Sequence, residues 1–273
     1  MKLAFSTLSC PKLNENELVE ACKTNGIPAL EFRVDQENKF LGTDDLKKLK
    51  EIGDLFHKNS ITVTNLASHI CFFGYEEEKV EKAVYCGKMA EIIGTNAIRI
   101  FAGNFGSKNN RPREKLNYEG IIRSIQQACD SINTEVWFET HNEFATGAIL
   151  KKLLRDVNRK NLKIIWDVMH PLEDGESVED TWNYIGDHIA HIHIKDGKDR
   201  KDPIWHSWEY TAMGTGEIPV ENVVKILEKN NFEGYLSLEW EAIWCAELQH
   251  FPEDINWILG EYKKHMNLYK GAE

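Results

Sequence analysis

The sequence predicts an α/β protein built as a single (β/α)8 barrel of the TIM type. Eight short apolar runs rich in Val, Ile and Phe alternate with amphipathic helical patterns along the chain. No antiparallel hairpin signal interrupts this alternation. The first run continues as Ser6-Thr7-Leu8-Ser9-Cys10-Pro11, without the glycine-rich phosphate turn expected of an open doubly wound sheet. The closed barrel is therefore preferred over the open sheet.

Each predicted strand is a short apolar run, and each predicted helix shows apolar residues recurring every three or four positions. The strands are Leu3–Ser6, Ala29–Arg33, Thr62–Leu66, Ala97–Phe101, Val136–Glu139, Lys163–Asp167, Ala190–Ile194 and Tyr235–Glu239. The helical stretches between them include Asp44–Lys58, Lys79–Ile93, Tyr118–Ile132 and Val220–Lys229, and a last helix, Pro252–Lys264, follows the eighth strand. The stripe is clearest at Leu46, Leu49, Ile52, Leu55 and Phe56.

Length and composition limit the class of protein. The 273 residues, 42% of them hydrophobic, suit one barrel domain spanning residues 1–273, with no linker or low-complexity segment. No run approaches the roughly 18 apolar residues of a membrane span, and the N-terminus turns polar too early for a signal peptide. A net charge of -11 argues against a general polyanion binder. Six scattered cysteines without a CxxC motif indicate buried thiols in a reducing compartment, and we predict a cytoplasmic protein.

Four consecutive predicted strands end in an acid or a histidine. These residues are Glu139, Asp167, His193 and Glu239, on strands five to eight. In a (β/α)8 barrel the active site lies at the carboxyl ends of the strands. Side chains alternate between the two faces of a strand, and the parity of these positions allows all four to point into the barrel mouth together.

Three carboxylates converging on one partly buried point repel each other and raise each other's pKa unless a cation lies among them. A divalent metal ion bound by the four residues would leave a net charge of about -1. Mostly oxygen ligands with one imidazole favour Mn²⁺, with Mg²⁺, Zn²⁺ and Co²⁺ as alternatives. The competing interpretation is four unrelated polar residues, each solvated or capping the next helix.

Four short motifs carry a resemblance to a known family: Phe138-Glu139-Thr140-His141, Trp166-Asp167-Val168-Met169-His170, His193-Ile194-Lys195-Asp196 and Leu236-Ser237-Leu238-Glu239. The chain resembles, over nearly its whole length, the sugar isomerase/epimerase superfamily of xylose isomerase-like TIM barrels, which includes D-tagatose 3-epimerase, inosose dehydratase and endonuclease IV. The resemblance implies that Glu139, Asp167, His193 and Glu239 are the metal ligands. The D-x-x-H pair of Asp167 and His170 implies that His170 contacts the substrate.

The sugar branch of this superfamily implies a mechanism. A ketose chelates the metal through its carbonyl and a neighbouring hydroxyl, and the metal stabilises an enediolate. Glu139 and Glu239 are expected to act as the acid/base pair that removes a proton and returns one. Return to the opposite face gives epimerisation, return to the neighbouring carbon gives isomerisation, and loss of a β-hydroxyl gives dehydration. An isomerase or epimerase of a free or phosphorylated sugar is preferred, and a dehydratase like inosose dehydratase is the alternative.

Three further residues are assigned to substrate binding. Lys195 could bind a substrate oxygen or phosphate, or pair with Asp196. His141 could face the substrate, orient a ligand as its hydrogen-bond partner, or be exposed. Trp205 is one of four tryptophans in the loops after strands seven and eight, where an aromatic ring can pack against a sugar. Lid packing or a subunit contact would explain that tryptophan equally well.

Several other charged or polar side chains fall near the predicted barrel mouth: Glu31, Arg33, His69, Arg99 and Glu241. Glu31 and Arg33 end the second strand, where either a substrate-facing acid or a salt bridge at the rim is expected. His69 and Arg99 are candidate pocket residues. Glu241 shares the parity of Glu239 and could replace it as a ligand.

A nuclease and a non-catalytic binding protein are the two other candidate functions. An endonuclease IV-like nuclease would need a D-x-H motif between His193 and Glu239, and none occurs there. A non-catalytic barrel with a structural metal is compatible with the same ligand set. We expect a small carbohydrate as the partner, no nucleic acid and no membrane, and homo-oligomerisation is left open.

Overall fold

A computed structural model describes residues 1–35, 45–105, 115–200 and 208–270 of the protein. Its strands in chain order are β1 (Lys2–Ser6), β2 (Ala29–Arg33), β3 (Thr62–Phe72), β4 (Ala97–Ala102), β5 (Glu135–Glu139), β6 (Leu162–Asp167), β7 (Ile189–Ile194), β8 (Asp196–Asp199), β9 (Trp208–Thr211) and β10 (Tyr235–Leu238). Strands β1 to β7 and β10 form one closed barrel, in which every neighbouring pair is parallel and β10 pairs with β1 and β7. The predicted closed barrel is thus confirmed.

Helices surround the barrel. They are α1 (Glu15–Asn25), α2 (Leu46–Lys58), α3 (Glu77–Ile93), α4 (Tyr118–Ser131), α5 (Gly147–Val157), α6 (Met169–Glu173), α7 (Val178–Ile185), α8 (Val220–Lys229) and α9 (Ile255–Lys270). Most helix starts follow a capping side chain; at α1, Asn14 and Glu17 form a reciprocal capping box. Among the described helices, none is both long and apolar enough to cross a membrane.

The last helix starts and ends later than predicted. It was expected over Pro252–Lys264 but spans Ile255–Lys270. Asp254 accepts a hydrogen bond from the backbone N–H of Asn256 and so supplies the N-terminal cap two residues inside the predicted start. Beyond Lys264 the buried Met266 continues the apolar stripe, so packing against the barrel extends the helix.

Along each strand, alternate side chains point outward into the core between barrel and helices or inward into the barrel. On β6, Trp166 points outward and is fully buried against the helices, with its ring 6.3 Å from that of Trp182. Ile165 points inward, where it packs with Ala97 and Trp137 in a small cluster inside the barrel. Asp167 follows Ile165 on the inward face, one layer nearer the mouth. The same alternation places the polar residues at the ends of β5 and β7 in the same inward-facing layer as Asp167.

Strand β3 is longer than predicted and reaches the mouth. It was expected to end at Leu66 but runs to Phe72, with an irregular register against β4 between Ala67 and Cys71. At this irregularity Ser68 bonds the carbonyl of Arg99 and accepts from the backbone N–H of Ile70. The distortion carries His69 to the rim, whereas the local apolar pattern alone stops at Leu66.

An antiparallel ribbon after β7 contradicts the expectation that the chain holds no hairpin. Strands β8 and β9 pair from Asp196 opposite Thr211 to Asp199 opposite Trp208. The sequence Asp-Gly-Lys-Asp of β8 has no apolar alternation that could announce a strand. The ribbon is anchored instead by the Asp196 carboxylate, which accepts hydrogen bonds from the backbone N–H groups of Gly197, Gly214, Gly216 and Ile218.

Candidate metal centre

Glu139, Asp167, His193 and Glu239 converge at the carboxyl end of the barrel. Each offers one ligand atom, and these four atoms all lie within 4.8 Å of one another. Three of the residues end β5, β6 and β7, and Glu239 directly follows β10. All four are at least 95% buried. The structure therefore brings together the four residues that the strand ends predict.

The spacing and chemistry of this group fit a divalent cation. Ligand atoms bonded at about 2.0–2.3 Å lie at most about 4.6 Å apart across an ion, close to the spacing found here. The donor set of three carboxylates and one imidazole suits Mn²⁺ or Zn²⁺. Among the described residues, Asp167 Oδ2 and Glu139 Oε2 are buried oxygens that accept no well-directed hydrogen bond. The close neighbours of these oxygens are the cations Arg99 and Lys195, and a metal ion could bind the oxygens in place of those cations.

Two buried cations share the cluster with the carboxylates. Arg99 Nη1 lies 3.0 Å from Glu139 Oε2 and 3.8 Å from Glu239 Oε1. Lys195 Nζ lies 2.7 Å from Asp167 Oδ2 and 2.6 Å from Glu239 Oε2. The predicted pairing of Lys195 with Asp196 is absent, because Asp196 turns to the backbone of the ribbon loop while Lys195 points inward. The two cations hold the carboxylates in place before any ion enters.

The cluster sets the charge of its members. Burial opposes ionisation of Glu139, but Arg99 and His193 outweigh it and hold the pKa of Glu139 well below its usual value. Burial likewise opposes ionisation of Glu239, and Lys195 and His193 lower its pKa. Burial disfavours the Lys195 cation, yet Asp167 and Glu239 raise its pKa well above the usual value. Glu139 and Glu239 are therefore carboxylates at neutral pH and can accept a proton.

Glu241 lies beside this cluster but does not replace Glu239. Its Oε1 is 2.6 Å from Lys195 Nζ, so it contacts the cation from the side away from Asp167. Burial raises the pKa of Glu241 and Lys195 opposes the rise. Glu241 is not one of the four residues whose ligand atoms converge. It acts as a third anionic partner of Lys195.

His141 and His170 form the wall beside Asp167. Their ring centroids are 4.3 Å apart, and His170 Nε2 lies 3.5 Å from Asp167 Oδ2. Burial and the neighbouring His170 lower the pKa of His141 to about 3, so His141 is a neutral ring. Burial opposes protonation of His170, but Asp167 raises its pKa. The two rings are in contact but differ in protonation: His141 is neutral, whereas the protonated form of His170 is favoured.

Glu31 lies beneath the metal centre and does not face the mouth as a substrate-facing acid would. Its Oε2 is 2.9 Å from His193 Nε2 and 3.2 Å from His191 Nε2, and it accepts a hydrogen bond from Asn65. His191 also stacks on Trp137 inside the barrel. The sequence indicated only that His191 shares the inward parity of His193 and that a buried imidazole needs a polar partner; it did not indicate that Glu31 is that partner.

Arg33 and His69 lie together on the rim above Glu31. Arg33 Nε donates to His69 Nε2 over 3.0 Å, and the Arg33 guanidinium lies 5.3 Å from the ring of Trp244. Burial, Arg99 and Arg33 lower the pKa of His69 to about 4, as required of an imidazole nitrogen that accepts a hydrogen bond. The rim salt bridge considered for Arg33 and Glu31 is therefore not formed, because Glu31 bonds the two histidines.

The tryptophans after β7 and β10 serve different purposes. Trp205 lies outside the described residues. Trp240 is buried between Phe251 and Trp257, so it packs the loop after β10. Trp244 is 55% exposed and lies over Arg33, at the edge of the mouth.

The sequence of this chain also matches a known protein family. The sequence pattern of the xylose isomerase-like TIM barrel family matches residues 19–260. The chain belongs to this family. Four of its barrel strand ends carry the polar cluster described above, on β5, β6, β7 and directly after β10.

Two characterised relatives are similar over part of their length. The chain is 32% identical over 177 residues to the 3-dehydroshikimate dehydratase of Bacillus anthracis, a match that covers 60% of this chain and 62% of the relative. It is 30% identical over 178 residues to the hydroxypyruvate isomerase of Escherichia coli (strain K12), covering 63% and 65%. The matched segments thus span less than two thirds of either relative.

Solved structures show the same fold at lower identity. The IOLI protein with a bound zinc atom is 18% identical and superposes with a TM-score of 0.76, covering 98% of both chains. The D-psicose 3-epimerase of Clostridium cellulolyticum H10 is 13% identical with a TM-score of 0.76, covering 99% of this chain and 98% of that protein. At this identity the likeness concerns the fold alone.

Proposed function

We propose that this protein is a metal-dependent isomerase or epimerase that moves a proton beside the carbonyl of a sugar or sugar-like hydroxycarbonyl compound. One observation carries the proposal: Glu139 and Glu239 reach the same atom, His193 Nδ1, at 3.1 and 3.6 Å, from strands on different sides of the mouth. Two carboxylates around one point can serve opposite faces of a substrate. Relatives that include an isomerase and a dehydratase support the same chemistry.

Glu139, Asp167, His193 and Glu239 would hold the ion, for which we propose Mn²⁺. When bound, a divalent ion supplies Lewis-acid polarisation of a substrate carbonyl. Zinc in a neighbour of the same fold keeps Zn²⁺ among the alternatives.

The chain's own residues account for the proton transfer. An ionised Glu139 or Glu239 can remove a proton from carbon and, as the resulting carboxylic acid, return it to the neighbouring carbon; return to the opposite face requires the other carboxyl group in its protonated form. Arg99 fixes one oxygen of Glu139, and Lys195 fixes one oxygen of Glu239. The other oxygen of each carboxylate faces His193 Nδ1, at 3.1 Å from Glu139 and 3.6 Å from Glu239. His170, beside Asp167, and His141 are proposed to bind substrate hydroxyl groups.

The test combines metal analysis with a substrate screen in deuterated water. We expect bound divalent metal, and deuterium incorporation next to the carbonyl of at least one ketose, inosose or hydroxyketo acid. Glu139→Gln should lower the exchange rate about 10²–10⁴-fold. Unchanged exchange in this variant would contradict the assigned roles. Bound metal without exchange in any compound would favour the non-catalytic binding barrel.

Dehydration is a second candidate. The named 3-dehydroshikimate dehydratase among the relatives favours it, and Lys195 places an ammonium group between Asp167 and Glu239. That ammonium could donate a proton to a departing β-hydroxyl after proton removal by a carboxylate. Loss of water with formation of a conjugated, ultraviolet-absorbing product would identify this reaction. Exchange without water loss would assign the protein to the isomerases.

The remaining expectations stay predictions. They are a single domain over residues 1–273, a cytoplasmic location, a small-molecule substrate and no nucleic-acid partner. The raised pKa of all six buried cysteines agrees with unreactive thiols. Sizing chromatography would determine whether the protein forms homo-oligomers.

A further inference from the structure

Arg33 is a half-buried cation at the mouth of the barrel. In residues 1–35, 45–105, 115–200 and 208–270, no carboxylate lies within the 4.0 Å of an ion pair from its guanidinium, although Asp35 lies near enough to favour its charge. The side chain is about half buried, and Arg99 adds a repelling charge nearby. A partly desolvated guanidinium with no counterion is costly unless a ligand supplies the charge.

The surroundings of Arg33 hold the guanidinium in one orientation. Its Nε donates to His69 Nε2 at 3.0 Å, and Trp244 covers one face of the guanidinium at 5.3 Å. The backbone N–H of Arg33 donates to Thr7 Oγ1 at 2.9 Å, which fixes the end of β2. With Nε and one face engaged, the two Nη groups remain as a pair of donors. Two parallel N–H donors match the two oxygens of a carboxylate.

This cation lies next to the metal centre. Arg33 follows Glu31 by two residues on the inward face of β2, and Glu31 contacts His193 Nε2. His69 lies within electrostatic range of both Arg99 and Glu139, so the Arg33–His69 pair lies near the cluster. A compound bound between Glu139 and Glu239 would therefore extend one end toward Arg33.

We propose that Arg33 binds a carboxylate of the substrate, which makes the substrate a hydroxyketo acid and not a neutral sugar. The proposal deepens the proposed function and rests on it. Arg99 is already neutralised by Glu139 and Glu239, whereas Arg33 forms no ion pair with a carboxylate of the described residues and so offers its positive charge to a ligand. A guanidinium can bind a carboxylate or a phosphate in bidentate fashion, and the single charge of Arg33 matches the single charge of a carboxylate.

The test measures binding without turnover. Hydroxypyruvate and dihydroxyacetone share the hydroxyketone and differ only in a carboxylate against a hydroxymethyl group. We expect calorimetry on the Mn²⁺-loaded protein to show hydroxypyruvate binding at least tenfold tighter than dihydroxyacetone. R33Q should abolish this preference, and R33K should keep only part of it, since lysine retains charge without the paired donors.

The matched control is R123Q, which removes an exposed arginine that lies over the ring of Tyr75 in the same kind of contact. R123Q should keep the full preference for hydroxypyruvate over dihydroxyacetone. Thermal unfolding of R33Q within a few degrees of the wild type excludes a folding defect. Equal binding of both probes by the wild type, no binding of hydroxypyruvate, or a preference that survives in R33Q would each overturn the proposal. Tighter binding of dihydroxyacetone phosphate than of hydroxypyruvate would overturn the carboxylate assignment in favour of phosphate.

The two proposals fail separately. Preferential hydroxypyruvate binding through Arg33 without deuterium exchange in any compound refutes only the proposed function. Rapid exchange in neutral ketoses, with no preference for the acid, refutes only the role of Arg33.

Discussion

Glu31 Oε2 lies 2.9 Å from His193 Nε2, on the side of the imidazole away from Glu139, whose Oε1 lies 3.1 Å from Nδ1. With Glu31 accepting a hydrogen bond at Nε2, the ring is held with Nδ1 facing the other ligands. A carboxylate behind a ligating histidine fixes the ring and makes it a better ligand. A buried residue of β2 therefore shapes the metal centre without being part of it.

Removing the charge of Glu31 should weaken metal binding. We expect Glu31→Gln to lower the affinity for Mn²⁺ or Zn²⁺ about 10–100-fold, because the ring of His193 loses its anionic partner. Competition with a metal-binding dye measures the affinity directly. Glu81→Gln, on the exposed face of α3, is the control. An unchanged affinity in Glu31→Gln would show that His193 is oriented by other contacts.

Lys195 should stabilise the protein most when no metal is bound. Lys195→Met leaves the buried carboxylates of Asp167 and Glu239 without their cation, and breaking such a pair costs about 3–5 kcal/mol. In the presence of a chelator we expect a loss of this size in the free energy of unfolding, measured with urea. Divalent metal should restore more stability to Lys195→Met than to the wild type, since the ion supplies the missing charge.

The control for this experiment is Lys198→Met, an exposed lysine on β8. Its unfolding should match that of the wild type with and without metal. If metal stabilises Lys195→Met no more than the wild type, Lys195 and the ion do not neutralise the same carboxylates.

His69 should make the protein less stable in mild acid. Its pKa is about 4 in the folded protein, against an ordinary value of 6.5. The unfolded chain therefore binds the proton first, and stability present above pH 6.5 is lost as the pH falls toward 4. Between pH 7 and pH 5 we expect the wild type to lose about 1–2 kcal/mol more than His69→Gln. Urea unfolding at the two pH values checks this, and parallel losses would contradict it.

Asp196 should hold the ribbon loop. Its carboxylate accepts four backbone N–H groups, so Asp196→Ala leaves buried donors without partners. Each such donor costs about 1–3 kcal/mol, partly recovered by water. We expect faster amide hydrogen exchange at Gly214 and Gly216 and a lower melting temperature. Asp199→Ala, at the exposed end of β8, should change neither.

The barrel and the four converging residues could be predicted from the sequence because both depend on local periodicity. Alternation along each strand assigns Glu139, Asp167 and His193 to the inward face, and closure of the barrel brings the strand ends together. The apolar stripes likewise predicted the observed bounds of α8, and they predicted the bounds of α3 to within two residues. The candidate ligand set thus needed the fold, the parity of each position and, to prefer Glu239 over Glu241, the resemblance to the family.

Contacts between distant segments were decided by the tertiary structure alone. No local pattern pairs Glu31 with His193, selects Asp167 and Glu239 as partners of Lys195, or joins Arg33 to His69. The ribbon of β8 and β9 forms although its sequence lacks strand periodicity, because one carboxylate satisfies the backbone of a later loop. Periodicity is a property of neighbouring residues, whereas the charge balance of a buried site depends on every segment that the fold brings within a few ångströms.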